Sequence, residues 1–306
     1  PFLLKKRMRI CMKKRKCRSF YLMLLLPVVL VFIYSYIPMA GIVISFMDYK
    51  PALGFAGSRF VGLEHFRTLF NNPQFSQALE NTVVIAFWKI VFGLVVPVTF
   101  ALLLNEVRNT AYKRVAQTVV YLPHFISWVL MSGIIIDFLS ATGAMNQLLG
   151  LFGMEPVLFL LDNRLFKPVL IVTDIWKSFG WGTIIYMAAL TGVDPNLYEA
   201  AAIDGAGRWK QTLHVTFPGI LSTVVLKMTL SLGDVLNAGF DQVYNLMSPV
   251  TMQSGDILDT LIYRLGMENA NFGLSTAVGL FKSLVGAVFI IVSYKLAHRF
   301  TGYKIF

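Results

Sequence analysis

Long apolar runs, each bounded by clusters of polar and charged residues, dominate the chain. Six reach the length of a membrane-crossing helix: about 20–47, 82–104, 115–139, 169–192, 216–236 and 274–298. A helix rising 1.5 Å per residue needs about 20 residues to cross roughly 30 Å of hydrocarbon. None of the runs alternates apolar and polar positions as a barrel strand would. The pattern therefore predicts an all-α fold: a polytopic membrane protein built as a six-helix transmembrane bundle. Pro27, Pro38, Pro97, Pro123 and Pro218 lie in or at the ends of these runs; neighbouring helices can re-satisfy the backbone groups that such residues free. A shorter stretch, 146–161, is interrupted by Gly153, Glu155 and Pro156 and reads as an interfacial or re-entrant piece.

Composition agrees with this picture. Of 306 residues, 56% are hydrophobic and 14% charged, against about 45–50% and about 25% for soluble domains. A disordered chain, a collagen and a disulfide-built scaffold are excluded, and a soluble enzyme of this length is disfavoured. The net charge of +11 is unevenly spread. Residues 1–18 form a basic arm with nine Lys and Arg and no acid, and residues 19–306 form the transmembrane domain. Counted over the connections, 17 Lys and Arg fall on the side of the arm and 6 on the other. That asymmetry predicts cytoplasmic N- and C-termini. It also accounts for the arm without nucleic acid, and the apolar run that follows is too long for a signal peptide.

Catalytic signatures are absent. No phosphate-binding G-x-x-x-x-G-K-[ST] loop occurs, nor any Gly-Lys dipeptide, so the chain is not expected to hydrolyse ATP. His65, His124, His214 and His298 are scattered, and Cys11 and Cys17 lie alone in the arm. The expectation is no enzyme, no metal site and no cofactor bound by this chain.

The connection 194–218 carries the most information. Asp194 or Asn196 can cap a helix that has Pro195 in its first turn. Glu199-Ala200-Ala201-Ala202-Ile203 favours helix, and Gly205 and Gly207 permit a sharp bend. A second short helix is expected over about 208–214, running up to Pro218 and the fifth span. The small side chains of Ala200, Ala201, Ala202 and Ala206 leave a narrow ridge of the kind that enters a groove on another protein; an ordinary amphipathic loop is the alternative.

Glu199-Ala200-Ala201, Asp204-Gly205-Ala206 and Phe217-Pro218, with Val215 between, resemble the signature loop of permease subunits of ABC importers. Thr212 departs from that pattern, where sugar permeases usually carry phenylalanine. Phe60–Phe66 is similar to the external segment of maltose-type sugar permeases, and Asn81-Thr82 opens the second span as it does in that group. Tyr36–Gly41 and Tyr121–Trp128 resemble the branch handling oligosaccharides and polysaccharide fragments. The resemblance covers residues from about 20 to the end. It implies a type I importer of the bacterial plasma (inner) membrane that moves an oligosaccharide inward by alternating access. The implied partners are a second, related permease (a heterodimer), two ATPase subunits carrying ATP and Mg, and an extracytoplasmic solute-binding protein. Glu199, Ala200, Ala201, Asp204, Gly205 and Ala206 would then couple the permease to the ATPase.

Ionisable groups inside spans are costly and default to functional candidates. Asp174, Lys177, Ser178 and Trp181 recur at helical spacing, as do Lys227, Ser231 and Asp234, continuing to Asn237 and Asp241. Sugars take hydrogen-bonding groups and aromatic faces, so Asp174, Trp176, Lys177, Trp181, Tyr186, Lys227, Asp234 and Asn237 are the candidate pathway residues. The competing reading is that Asp174 pairs with Lys177, and Lys227 with an acid on another helix, to hold the bundle. Lys89 and Asp137 read as structural or snorkelling charges. Two rival functions remain: an ABC permease for a non-sugar solute, and an ion-coupled secondary transporter.

Overall fold

In a computed structural model, which describes residues 18–301, the chain is mostly helical. The first helix, α1 (Arg18–Val31), continues through a π turn at Phe32–Tyr36 to a 3-10 segment at Ala40–Phe46. Two short strands, Met47–Asp48 and Arg59–Phe60, pair antiparallel with Met47 opposite Phe60. The helices that follow are α2 (Glu64–Phe70), α3 (Pro73–Glu106), α4 (Thr110–Tyr121), α5 (Trp128–Leu139), α6 (Ala144–Leu151) and α7 (Asn163–Leu190). After them come α8 (Pro195–Ile203), α9 (Arg208–Gln211), α10 (Phe217–Leu232), α11 (Phe240–Leu246), α12 (Leu258–Tyr263) and α13 (Phe272–Thr301).

Local chemistry sets where the helices begin. Asn72, Asn109, Asp162 and Asp194 each accept a hydrogen bond from a first-turn backbone N–H, at 2.7–3.1 Å. Such a cap is worth about 1 kcal/mol. Because Asn72 caps α3, that helix starts at Pro73 and not at Thr82 as the apolar run suggested. Asn81 and Thr82 are therefore interior and buried. Asn81 donates to the carbonyls of Gln253 and Asp256, and Thr82 accepts from the Leu258 N–H.

Among the described residues, five stretches are long and apolar enough to cross a membrane: Phe20–Phe46, Pro73–Glu106, Trp128–Leu151, Arg208–Leu232 and Phe272–Lys295. The 28-residue α7 is long enough but less apolar, since it carries Arg164, Lys167, Asp174 and Lys177. Within the apolar window of Phe20–Phe46, no residue is buried inside the chain.

The third run differs from the expected single helix over 115–139. It divides into α4 and α5 around a 3-10 turn, Leu122–Phe125, and extended backbone at Ile126 and Ser127. Pro123 lacks the N–H that would continue α4. Ser127 caps the new helix by accepting from Leu130 N. The break lies beside the middle of α7, because Val120 sits against Gly180 so closely that a Cβ there would run into the Val120 carbonyl. After α5, Asn146 folds the chain back: its side chain bonds Ser140 O, Val157 O and Val157 N at 2.8–2.9 Å. A second difference concerns α9. It does not stand as a separate short helix, but passes through a π turn at Thr212–Thr216 directly into α10.

Three apolar clusters hold the bundle along α3. Ile85, Met131, Phe166, Leu170 and Val243 join α3 to α5, α7 and α11. Phe75, Leu258, Leu261 and Val278 join it to α12 and α13. Val98, Ala101, Tyr186, Leu190 and Ile220 join its other end to α7 and α10. Two ion pairs, Arg264–Asp256 and Lys282–Asp259, brace α12. Asp256 holds the Arg264 guanidinium above its ordinary pKa, chiefly by hydrogen bonding.

Candidate functional site

Between the cluster around Ile85 and Val243 and the cluster around Val98 and Ile220, α3, α7 and α10 line a polar cavity of about 370 Å³. From α3 it is lined by Lys89, Ile90, Gly93 and Pro97; from α7 by Asp174, Ser178 and Trp181; from α10 and beyond by Lys227, Ser231, Asp234 and Asn237. Helical spacing brought these last two sets onto single faces, and the packing turns both faces to the same space.

Lys89 organises one wall. Its Nζ lies 3.4 Å from Asp174 Oδ1, donates to Ala238 O at 2.7 Å and donates to Gln242 Oε1. Gln242, wholly buried, donates in turn to Leu170 O and Thr173 Oγ1, both at 2.8 Å. Low-dielectric surroundings make such a network costly unless every member is satisfied, and here each is. Asp174 therefore pairs across to α3 and not with Lys177 on its own helix. The left-handed backbone of Gly239 (φ 92°) lets the chain turn tightly beneath Lys89.

Lys177 is placed differently from the expectation. Its side chain is turned out of the cavity and buried; Nζ donates to His124 O at 3.0 Å and lies 5.2 Å from the Trp128 ring centroid. The carbonyl it meets belongs to the turn that divides α4 from α5. A broken helix at membrane depth needs such a donor, so Lys177 repairs the break. Trp176 lies on another face of α7, in an apolar cleft with Ile134, Phe138 and Val172. Tyr186 is 1% exposed in the cluster it forms with Val98 and Ile220, and its hydroxyl has no partner among the described residues. These three residues do not line the cavity. Trp181 does, with one face stacked on His124 at 4.6 Å and 3°. Asp241 opens α11 and is exposed outside the cavity. Lys89, read from the sequence as a structural or snorkelling charge, is structural here; Gln242 was missed by the spacing argument. Lys89 carried a signal, being a charge inside a span; Gln242 carried none.

Lys227 and Asp234 have no ion pair within 4.0 Å among the described residues, so the acid partner expected for Lys227 on another helix is not found; both residues are exposed into the cavity. Among the described residues no cluster of His, Cys, Asp and Glu could hold a metal.

At the other functional segment, α8 ends in a Schellman arrangement. Gly205 N donates to Ala202 O at 3.0 Å and Ala206 N to Ala201 O at 2.9 Å. This requires the left-handed conformation that Gly205 adopts at φ 76°. No residue of α8 is buried, and Ile203 is 87% exposed. Tyr198 Oη donates to Thr216 Oγ1 at 3.0 Å, and Gln211 Nε2 donates to Ala206 O at 2.9 Å. Glu199, Ala200, Ala201, Asp204, Gly205 and Ala206 thus form one short exposed helix and its terminal turn.

Comparison with known proteins gives the same reading. Residues 90–302 match the family described as binding-protein-dependent transport system inner membrane component. The chain is 43% identical over 296 residues to the polygalacturonan/rhamnogalacturonan transport system permease protein YteP of Bacillus subtilis (strain 168), covering 96% of this chain and 92% of that protein. It is also 43% identical to protein LplB of the same strain, covering 91% and 88%. Among solved structures, a bacterial ABC transporter involved in the import of the acidic polysaccharide alginate superposes with a TM-score of 0.86 at 36% identity, covering 96% of this chain and 99% of the other. A second structure shows the bacterial alginate transporter in complex with an alginate pentasaccharide-bound periplasmic protein, with a TM-score of 0.87 at 35% identity over 97% and 100%. This membership does not favour the ion-coupled alternative. With its bundle, its polar cavity and its exposed Glu-Ala-Ala helix, the chain belongs to the binding-protein-dependent inner membrane components of ABC transport systems.

Proposed function

We propose that this chain is the membrane-crossing permease subunit of an ATP-driven importer that carries an oligosaccharide or polysaccharide fragment across the bacterial inner membrane. The observation that carries the proposal is the cavity between α3, α7 and α10. It offers Trp181 as an aromatic face, with Ser178, Ser231, Lys227, Asp234 and Asn237 as hydrogen-bonding groups, which is the chemistry a sugar takes. The names of YteP and the alginate transporter support that substrate class. In this reading α7 is the sixth span, and both termini lie in the cytoplasm, as the charge asymmetry favours.

The cavity is open on one side, and a second, related permease would close it. Two ATPase subunits would receive α8, and an extracytoplasmic binding protein would deliver the sugar. ATP and Mg would sit on the ATPase subunits, so this chain supplies binding and movement but no catalysis. Closure of the ATPases would push α8. Because α9 runs unbroken into α10, the push would reach Lys227 and Ser231 along one rigid element, and Asp234 just beyond its end. Alternating access then follows from rocking of packed helices about the cavity. The test is ATPase activity of the assembled importer in proteoliposomes, titrated with binding protein loaded with polygalacturonate, alginate or neutral oligosaccharides. Stimulation by at least one oligosaccharide is expected; stimulation by none of them, with amino acids or phosphate active instead, would refute the sugar assignment.

A further inference from the structure

A second cavity, about 530 Å³, lies where the end of α3 meets α9 and the start of α10. It is separate from the polar cavity and shares no lining residue with it. Its floor is apolar: Leu102, Leu103, Leu213 and Phe217. Its lining also carries one group of each sign, Glu106 and Arg208, together with Trp209, which is 76% exposed. The two charges do not pair with each other within 4.0 Å, and among the described residues the Arg208 guanidinium has neither an ion pair nor a hydrogen bond. Glu106 Oε1 lies 3.4 Å from Thr212 Oγ1, whose single proton goes to the Arg208 carbonyl at 3.0 Å. Leu103 and Leu213, at 62% and 51% exposure, leave the floor open.

These features sit at a helix end, where a spanning segment leaves the hydrocarbon. Tryptophan is enriched at that depth because its ring is apolar and its N–H is polar. A floor of leucine and phenylalanine suits an acyl chain. An isolated cation in the lining suits a phosphate, which Arg binds with a planar fork of donors. The carboxylate beside it rules against a purely anionic headgroup and suits an ammonium. We propose that this cavity binds one zwitterionic phospholipid of the phosphatidylethanolamine type, its phosphate on Arg208, its ammonium on Glu106 and an acyl chain over Leu102, Leu103, Leu213 and Phe217. The site does not depend on the sugar assignment or on which leaflet the helix end faces. Thr212 gains a reason in this arrangement: its short side chain leaves room in the cavity, which it helps to line.

The test uses the full chain in lipid nanodiscs and reads the fluorescence of Trp209 as the difference between wild type and Trp209→Phe. Lipids with brominated acyl chains quench a tryptophan they touch. Brominated phosphatidylethanolamine is expected to quench Trp209 at a mole fraction about two- to five-fold lower than brominated phosphatidylglycerol or phosphatidylcholine, the range an exposed charge contact supports. Glu106→Gln should erase that preference while quenching persists, and Arg208→Gln should weaken quenching by all three lipids. Equal quenching by the three headgroups would reduce the cavity to ordinary lipid-facing surface. Absence of quenching by any of them would mean that protein covers it. Either result overturns the proposal, and the wild-type comparison alone is enough to obtain it.

Discussion

Lys89 binds three parts of the bundle through one ammonium group, and its removal should be felt at once. Lys89→Ala leaves Asp174 charged and Gln242 Oε1 and Ala238 O short of a donor. Breaking a buried pair costs about 3–5 kcal/mol; Asp174 is 27% exposed to the cavity, so the lower end applies. The double variant Lys89→Met/Asp174→Asn removes both charges and should recover a good part of that loss. Thermal unfolding followed by size-exclusion chromatography in detergent checks the order, and a double variant no better than Lys89→Ala would count against the network. The aromatic candidates separate just as clearly. Trp181→Ala should raise the substrate concentration for half-maximal ATPase stimulation several-fold, since a stacking aromatic adds about 0.5–1.5 kcal/mol. Trp176→Phe and Tyr186→Phe should leave that concentration unchanged. Tyr186→Phe also deletes a buried hydroxyl that has no partner among the described residues, which should stabilise the protein by up to about 1 kcal/mol; a marked loss of stability would reveal a partner for that hydroxyl.

Two elements work through their ends. The first is α8, whose terminal turn needs Gly205 at φ 76°. A β-branched residue there costs about 1–2 kcal/mol and tilts the exposed Ala face. On the proposed function, Gly205→Val and Ala201→Asp should separate ATP hydrolysis from uptake while the protein still reaches the membrane, and transport assays in vesicles decide the point. Normal uptake in both variants would remove α8 from the coupling path. The second element is the divided third run. Lys177→Met orphans the His124 carbonyl at the break, at a cost of about 1–3 kcal/mol. Thermal stability should fall and half-maximal stimulation should not move. The opposite pattern would return Lys177 to the substrate path.

At the scale of the whole molecule, the apolar window of Phe20–Phe46 has no buried residue within this chain. A segment so apolar needs lipid or another protein around it. The charge asymmetry further predicts its direction. Single cysteines at Arg59 and Met267 should react with a membrane-impermeant maleimide added outside, and one at Arg208 only after the membrane is opened. Met267, 70% exposed, serves better than Arg264, which is tied to Asp256. External labelling at position 208 would invert the topology and with it the cytoplasmic placement of α8.

The amino-acid sequence by itself determined the class of the protein and the shape of its most telling segment. Hydropathy is a property of the linear chain, so the apolar runs stand out before any folding is considered. The α8 turn was legible because caps, Ala helix formers and a glycine act within a few residues of one another. The helical angle, about 100° per residue, could also have set Trp176 and Tyr186 apart from the face of Asp174 and Trp181; grouping them by residue type obscured it. Only the tertiary structure decided which charge meets which. Spacing tells that Asp174 and Lys177 are near on one helix, but not how that helix is rotated and shifted against α3 and α4. The close packing of Gly180 on Val120 of α4 and of Gly182 on Pro97 of α3 goes with that rotation and shift. That placement delivers Asp174 to Lys89 and leaves Lys177 to satisfy the carbonyl that Pro123 and Ser127 expose. In a medium that solvates neither charge nor backbone, an exposed backbone group needs a partner, and that partner is chosen by three-dimensional position.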